Sequence, residues 1–205
     1  MTQIKLCGLS RECDIEWANE LQPDYIGFVF AKKSRRYVTY QRASELKELL
    51  HPSIKSVGVF VNEEQENIAE LVRLGVIDVI QLHGCEDEHY LKKLRELTSA
   101  CVIQAFSIKT PSDLRKAEKS SADCILLDAG AGGGKVFDWS LLDGIMRPYF
   151  LAGGLTPENL GGVLEKYQPY GVDASSSLET DGMKDREKMA AFVEAVREKE
   201  NNNGR

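Results

Sequence analysis

Val57-Gly58-Val59-Phe60-Val61 is an unbroken apolar run, and the segment after it places Ile68, Leu71 and Val72 at helical spacing. A strand that is apolar at every position is buried on both faces, as in a parallel sheet covered by helices. Working outward, the same unit recurs. Apolar runs end near Cys7, Phe30, Val61, Leu82, Phe106, Leu127, Leu151 and Ala174, 21 to 31 residues apart. Eight strand–helix units in 205 residues predict a single α/β domain, a small (β/α)8 barrel, over residues 1–198. Residues 199–205 have little to bury and are expected to fray. The alternative is an open doubly wound sheet. That fold carries a Gly-rich turn after its first strand, which Cys7-Gly8-Leu9-Ser10 is not.

The helical segments carry their own punctuation. Asn62 followed by Gln65 has the spacing of a capping box. Thr156-Pro157 reads as an N-cap followed by Pro at the first helical position. Met189, Phe192, Val193 and Val196 mark one face of a closing helix.

Composition narrows the function. The chain is 42% hydrophobic and 28% charged, with a formal charge of −6. Such a chain is a poor binder of nucleic acid or anionic membrane, so an anionic ligand needs a local positive field. No apolar run approaches the roughly 18 residues of a membrane helix, and Met1-Thr-Gln-Ile-Lys5 does not read as a signal peptide. A cytoplasmic protein is expected. The five cysteines and three histidines form no CxxC or other ligand motif, which disfavours a disulfide framework or a zinc site. Cys101 and Cys124 read as core packing.

In a barrel the chemistry sits at the carboxyl ends of the strands. Cys7 closes the first. The loop after the second holds Lys32, Lys33, Arg35 and Arg36. Such a charge run usually means a solvated loop, but on the active face of an acidic protein it favours anion binding. The fourth strand ends at His83, which by itself reads first as a structural hydrogen-bonder. The sixth ends at Asp128, followed by a Gly-rich loop over 129–137 that is suited to close over a ligand. The last two strands lead into Gly153-Gly154 and Ser175-Ser176-Ser177, whose amides and hydroxyls suit a phosphate.

These segments resemble a family. Lys-Leu-Cys-Gly, Gly-Phe-Val-Phe, Ser-Arg-Arg-Tyr-Val, Val-Gly-Val-Phe-Val-Asn, Gln-Leu-His-Gly, Leu-Leu-Asp, Phe-Asp-Trp-Ser, Ala-Gly-Gly-Leu and Gly-Val-Asp-Ala-Ser-Ser fall in order between residue 4 and about residue 197. The set is similar to the phosphoribosylanthranilate isomerases of tryptophan biosynthesis. The resemblance implies a TIM barrel with no cofactor and no metal. It implies conversion of N-(5-phosphoribosyl)anthranilate to 1-(2-carboxyphenylamino)-1-deoxyribulose 5-phosphate, with a small phosphosugar as the only partner. It places the general base on Cys7, the general acid on Asp128 and the anthranilate contact on Arg36. Gly153, Gly154, Ser175, Ser176, Ser177 and His83 complete the expected substrate contacts, and a monomer is favoured. Two departures stand out. Ser177 replaces a family glycine, which implies strain if its φ is positive, and the 129–137 loop is short.

The reaction is an Amadori rearrangement: an acid opens the sugar ring, and a base then takes the proton from C2. With ordinary pKa values of about 3.9 and 8.5, a protonated Asp with an ionised Cys is present in about one molecule in 10⁴–10⁵. At least one value is therefore expected to move toward neutrality. Desolvation under the 129–137 loop would raise that of Asp128, and Arg36 would lower that of Cys7. A phosphosugar epimerase would need metal-binding His and Asp at several strand ends. A barrel that only binds its ligand would need neither Cys7 nor Asp128.

Overall fold

Alternation within each strand sorts the chain into lumen, sheet and helical coat. The computed structural model describes residues 1–128, 139–142 and 144–203. The strands are β1 (Gln3–Cys7), β2 (Tyr25–Val29), β3 (Lys55–Phe60), β4 (Val79–Leu82), β5 (Cys101–Ser107), β6 (Cys124–Asp128), β7 (Tyr149–Ala152) and β8 (Gly171–Ala174). All pair in parallel in sequence order, and β8 returns to β1 to close the barrel. Ile4, Leu6, Ile125, Leu127 and Val172 point outward into the helix-packed core. Val57, Val79, Ile103, Leu126 and Phe150 point inward and fill the lower lumen.

The helices are α1 (Glu12–Leu21), α2 (Tyr40–Leu49), α3 (Gln65–Arg73), α4 (Glu88–Leu97), α5 (Pro111–Glu118), α6 (Pro157–Tyr167) and α7 (Arg186–Asn203). Thr156 and Pro157 open α6 as expected, with Asn159 completing a capping box. Met189, Phe192, Val193 and Val196 are all buried. Among the described residues, no helix is long and apolar enough to cross a membrane.

Four expectations need correction, and one element was not foreseen. The sixth helical unit, after β6, is a 3₁₀ turn over Trp139–Leu142 among the described residues. Asn62 does not cap α3. It takes a left-handed φ of 51° and its side chain accepts from the Cys85 amide, while Glu64 holds the N-cap position. Cys124 is buried, but Cys101 begins β5 at the lower rim and is exposed. α7 continues to Asn203, past the expected end at 198, because Glu and Lys sustain a helix that tertiary packing has already nucleated. A two-stranded hairpin not foreseen, β9 (Glu179–Thr180) with β10 (Met183–Lys184), follows β8 and turns through Asp181 and Gly182 at φ 51° and 80°.

Candidate active site

The apolar lumen becomes polar at its upper end. Lys5 and Cys7 lie two residues apart on β1, so both face inward. Lys5 pairs in register with Asp173 on β8, and the Lys5 Nζ donates to Asp173 Oδ1 at 2.8 Å. Both are buried: Lys5 is 0% exposed and Asp173 8%. Burial opposes both charges. It raises the Asp173 pKa, whereas the carboxylate beside Lys5 overcomes the effect and keeps the ammonium protonated above the ordinary lysine range. The short contact is that of an ammonium–carboxylate pair.

Above this pair a cavity of about 370 Å³ opens, lined by Cys7, Ser34, Arg36, Gln81, His83, Asp128, Gly153, Gly154, Asp173 and Ser175–Ser177, among others. The structure thus brings every expected site residue to one cavity. Cys7 is buried, and Gly27 on β2 makes room for it: a Cβ there would lie 2.7 Å from Cys7 Sγ. Burial pushes the Cys7 thiol up, against the opposing pull of Lys5 and, more weakly, Lys184. This corrects the expectation of a thiol lowered by Arg36. The cations that act on it come from β1 and β10.

Arg36 is engaged elsewhere. Its Nε and Nη2 donate to the two carboxylate oxygens of Glu179, the latter at 2.9 Å. Arg35 Nη2 and Lys184 Nζ each reach the same carboxylate at 2.7 Å. This grip occupies one edge of the Arg36 guanidinium and leaves its Nη1–Nη2 end as a second fork. Gly8 makes the crossing of Arg36 fit. It sits at φ +83°, and a Cβ there would overlap Arg36 Cδ.

Although burial opposes ionisation of Glu179, Arg36 and Lys184 draw its pKa from 4.5 down to about 2. A depressed folded value stabilises the fold above the unfolded pKa, and that stability is lost as pH falls toward 2. The shift corresponds to on the order of 3 kcal/mol. Glu179→Gln is therefore expected to flatten the acid limb of stability. Urea midpoints measured between pH 2 and 6 check this; wild-type and variant curves that run parallel would contradict it.

The residues expected to hold the phosphate differ in detail from expectation. Gly153 and Gly154 take φ of 85° and 68°. A Cβ at Gly154 would meet nothing within 4 Å, so a side chain there is opposed by backbone conformation rather than by protein neighbours. The Ser175 hydroxyl is not free for a ligand: it donates to the Cys7 carbonyl at 3.0 Å and stitches β8 to β1. Ser176 and Ser177 begin a right-handed 3₁₀ turn. Ser177 is not among the positive-φ residues, so the expected strain is absent.

Asp128 projects from the end of β6, about 29% of its side chain exposed, with His83 Nε2 at 3.7 Å from its Oδ2. The His83 Nδ1 lies 3.1 Å from Gln81 Nε2. Among the described residues, Gln81 Oε1 is a buried oxygen without a partner, on a side chain that lines the cavity. The expected lid over 129–137 lies outside the described residues. Among the described residues, no cluster of three His, Cys, Asp or Glu side chains is placed to hold a metal ion.

Lys5, Gln81, Glu179 and Lys184 were missed from sequence. Two signals pointed toward them: a lysine in an apolar strand two residues before Cys7, and Asp181-Gly182, a strong hairpin pair.

Comparison with known proteins agrees with this architecture. The family model described as N-(5'-phosphoribosyl)anthranilate (PRA) isomerase matches residues 4–195. A relative of that name from Acetivibrio thermocellus is 43% identical over 97% of both chains. The crystal structure of the phosphoribosyl anthranilate isomerase from Thermotoga maritima superposes with a TM-score of 0.89 at 34% identity, covering 97% of this chain and 100% of that one. A crystal structure of an isomerase of this name in complex with reduced 1-(o-carboxyphenylamino)-1-deoxyribulose 5-phosphate gives 0.87 at 33% identity, with the same coverage. A closed eight-stranded barrel with this cavity at the carboxyl ends of its strands, matched along nearly its whole length, belongs to the phosphoribosylanthranilate isomerase family, and the chain converts N-(5-phosphoribosyl)anthranilate to 1-(2-carboxyphenylamino)-1-deoxyribulose 5-phosphate in tryptophan biosynthesis.

Proposed function

We propose that Cys7 is the general base and Asp128 the general acid of this isomerisation, with Arg36 on the anthranilate carboxylate and the turns at Gly153-Gly154 and Ser176-Ser177 on the phosphate. The observation that carries the reading is the single cavity lined by all of these groups. Asp128 gives its proton to the ring oxygen. The C1–O bond breaks as the anilino nitrogen lone pair forms the iminium. The Cys7 thiolate takes the proton from C2, and the electrons of that bond become the C1–C2 double bond of an enolamine. Tautomerisation to the ketone places one proton on C1 and releases one from the C2 hydroxyl. Protons are thereby conserved over the cycle, with Cys7 and Asp128 restored. The buried Gln81 Oε1 is a ready acceptor for a sugar hydroxyl.

The two anionic ends of the substrate are then held by different chemistry. The phosphate takes backbone amides and the Ser176 and Ser177 hydroxyls, and the carboxylate takes the free fork of Arg36. Arg36→Met should raise KM by roughly 10- to 100-fold, the worth of a charge-assisted hydrogen-bonded pair, and Arg36→Lys should restore it only in part because an ammonium has no fork. Competitive inhibition separates the two ends. Benzoate should lose its inhibition in Arg36→Met, whereas inorganic phosphate should keep it. An unchanged KM in the Met variant would remove this role from Arg36. We further propose a monomer in the cytoplasm; sedimentation at one chain's mass would agree with the monomer, and at twice that mass would not.

A further inference from the structure

Lys5 is the most buried charge in the molecule's upper lumen, and ring opening and proton transfer as described leave it no task. A fully buried lysine needs a reason, because its charge is costly away from water. A structural ion pair is one reason, and Asp173 supplies it at 2.8 Å. The position adds another. Lys5 lies one inward-facing register below Cys7 on β1, with both side chains buried, and the positive charge of its ammonium favours the ionised thiol. We propose that Lys5 is a positioning residue of the reaction: anchored on Asp173, its ammonium holds the negative charge of the Cys7 thiolate and so sets how much of the base is present. The proposal rests on the reading of Cys7 as the base.

Other groups are less able to do this. Lys184 also faces Cys7 from the hairpin, but its ammonium is committed to the Glu179 carboxylate at 2.7 Å and the Ser175 carbonyl at 3.0 Å. Arg36, from the loop after β2, is turned onto Glu179. Asp173 on β8 opposes a second negative charge. Across the cavity, His83 on the loop after β4 and Asp128 on β6 face each other. Lys5 is thus the cation on the thiol's own strand, and its single carboxylate partner fixes its position while leaving other N–H bonds of the ammonium for sulfur. Burial disfavours the thiolate, and Lys5 is the largest opposing influence.

Alkylation by iodoacetamide, read at Cys7 by peptide mass spectrometry across pH, measures the thiolate without turnover. In Lys5→Met the rate at Cys7 near pH 7 should fall tenfold or more, with the midpoint moved to higher pH and the rates at Cys13, Cys85 and Cys101 unchanged. kcat should fall by a similar factor with little change in KM. Lys5→Met leaves Asp173 buried without its partner and can fail to fold. The double variant Lys5→Met/Asp173→Asn removes both charges; because Lys5 acts on the thiol more strongly than Asp173 opposes it, a smaller loss in the same direction is expected there. In the wild type, the Nζ resonance of ¹⁵N-lysine-labelled Lys5 should shift in step with the Cys7 titration. Cys7 reactivity within threefold of wild type in a folded Lys5→Met, or at or above wild type in the folded double variant, would overturn the role of Lys5, as would a Lys5 resonance that ignores the Cys7 titration. Near-normal turnover in Cys7→Ala would instead overturn the base assignment, and the catalytic meaning of Lys5 with it.

Discussion

Cys7→Ala is expected to lower kcat by roughly 10²–10⁴, the usual worth of a positioned general base, while KM changes by less than about threefold. The asymmetry follows from where the thiol acts. It meets the C2 proton only as that proton leaves, so its loss falls on the transition state rather than on the bound substrate. The phosphate turns and the Arg36 fork lie on other strands and keep their geometry. The fold should persist, since the Ser175 hydroxyl holds β8 to β1 through the Cys7 carbonyl, which alanine retains. Steady-state kinetics on the purified variant, with circular dichroism to confirm folding, check the split. Turnover within threefold of wild type would remove Cys7 from the mechanism.

Asp128→Asn should be at least as damaging, by roughly 10³ or more, because an amide is the same size but has no acidic proton to give. The substitution keeps the β6 register to Ala152 and Ser107, so the loss reports chemistry rather than fold. A substrate already open at C1 gives a sharper reading. An open-chain iminium or imine analogue bypasses protonation of the ring oxygen, so Asp128→Asn should process it far closer to the wild-type rate than Cys7→Ala does. Equal losses on closed and open substrates in the Asn variant would contradict a role confined to ring opening.

The barrel was legible because a doubly buried strand writes itself as an unbroken apolar run. All eight strand ends fall within a residue of expectation at Cys7, Phe30, Val61, Leu82, Phe106, Leu127, Leu151 and Ala174. Val61 shows the limit: it is apolar yet exposed, and β3 ends at Phe60. That Cys7, Arg36, Asp128, Gly153-Gly154 and Ser175–Ser177 meet in one cavity was legible because a barrel puts strand ends on one face. The pairs that surround them were not. Lys5 meets Asp173 across 168 positions of chain, and Glu179 gathers Arg35, Arg36 and Lys184 only once the hairpin folds back. Such pairs depend on barrel closure, which no local pattern records. Whether Ser177 was strained depended on the hand of its turn, which sequence does not record; here the chain takes a right-handed one.

The central claim is that one cavity holds the substrate with Cys7 at C2 and Asp128 at the ring oxygen. A crystal structure of this chain with the reduced product analogue tests it most directly. The account predicts Cys7 Sγ within about 3.5 Å of C2, and Asp128 within hydrogen-bond reach of the oxygen released from the ring. It also predicts the carboxylate on the Nη1–Nη2 end of Arg36, and the phosphate between Gly153-Gly154 and Ser176-Ser177. A ligand bound the other way round, with its phosphate on Arg36, or one that leaves Cys7 remote from C2, would contradict it.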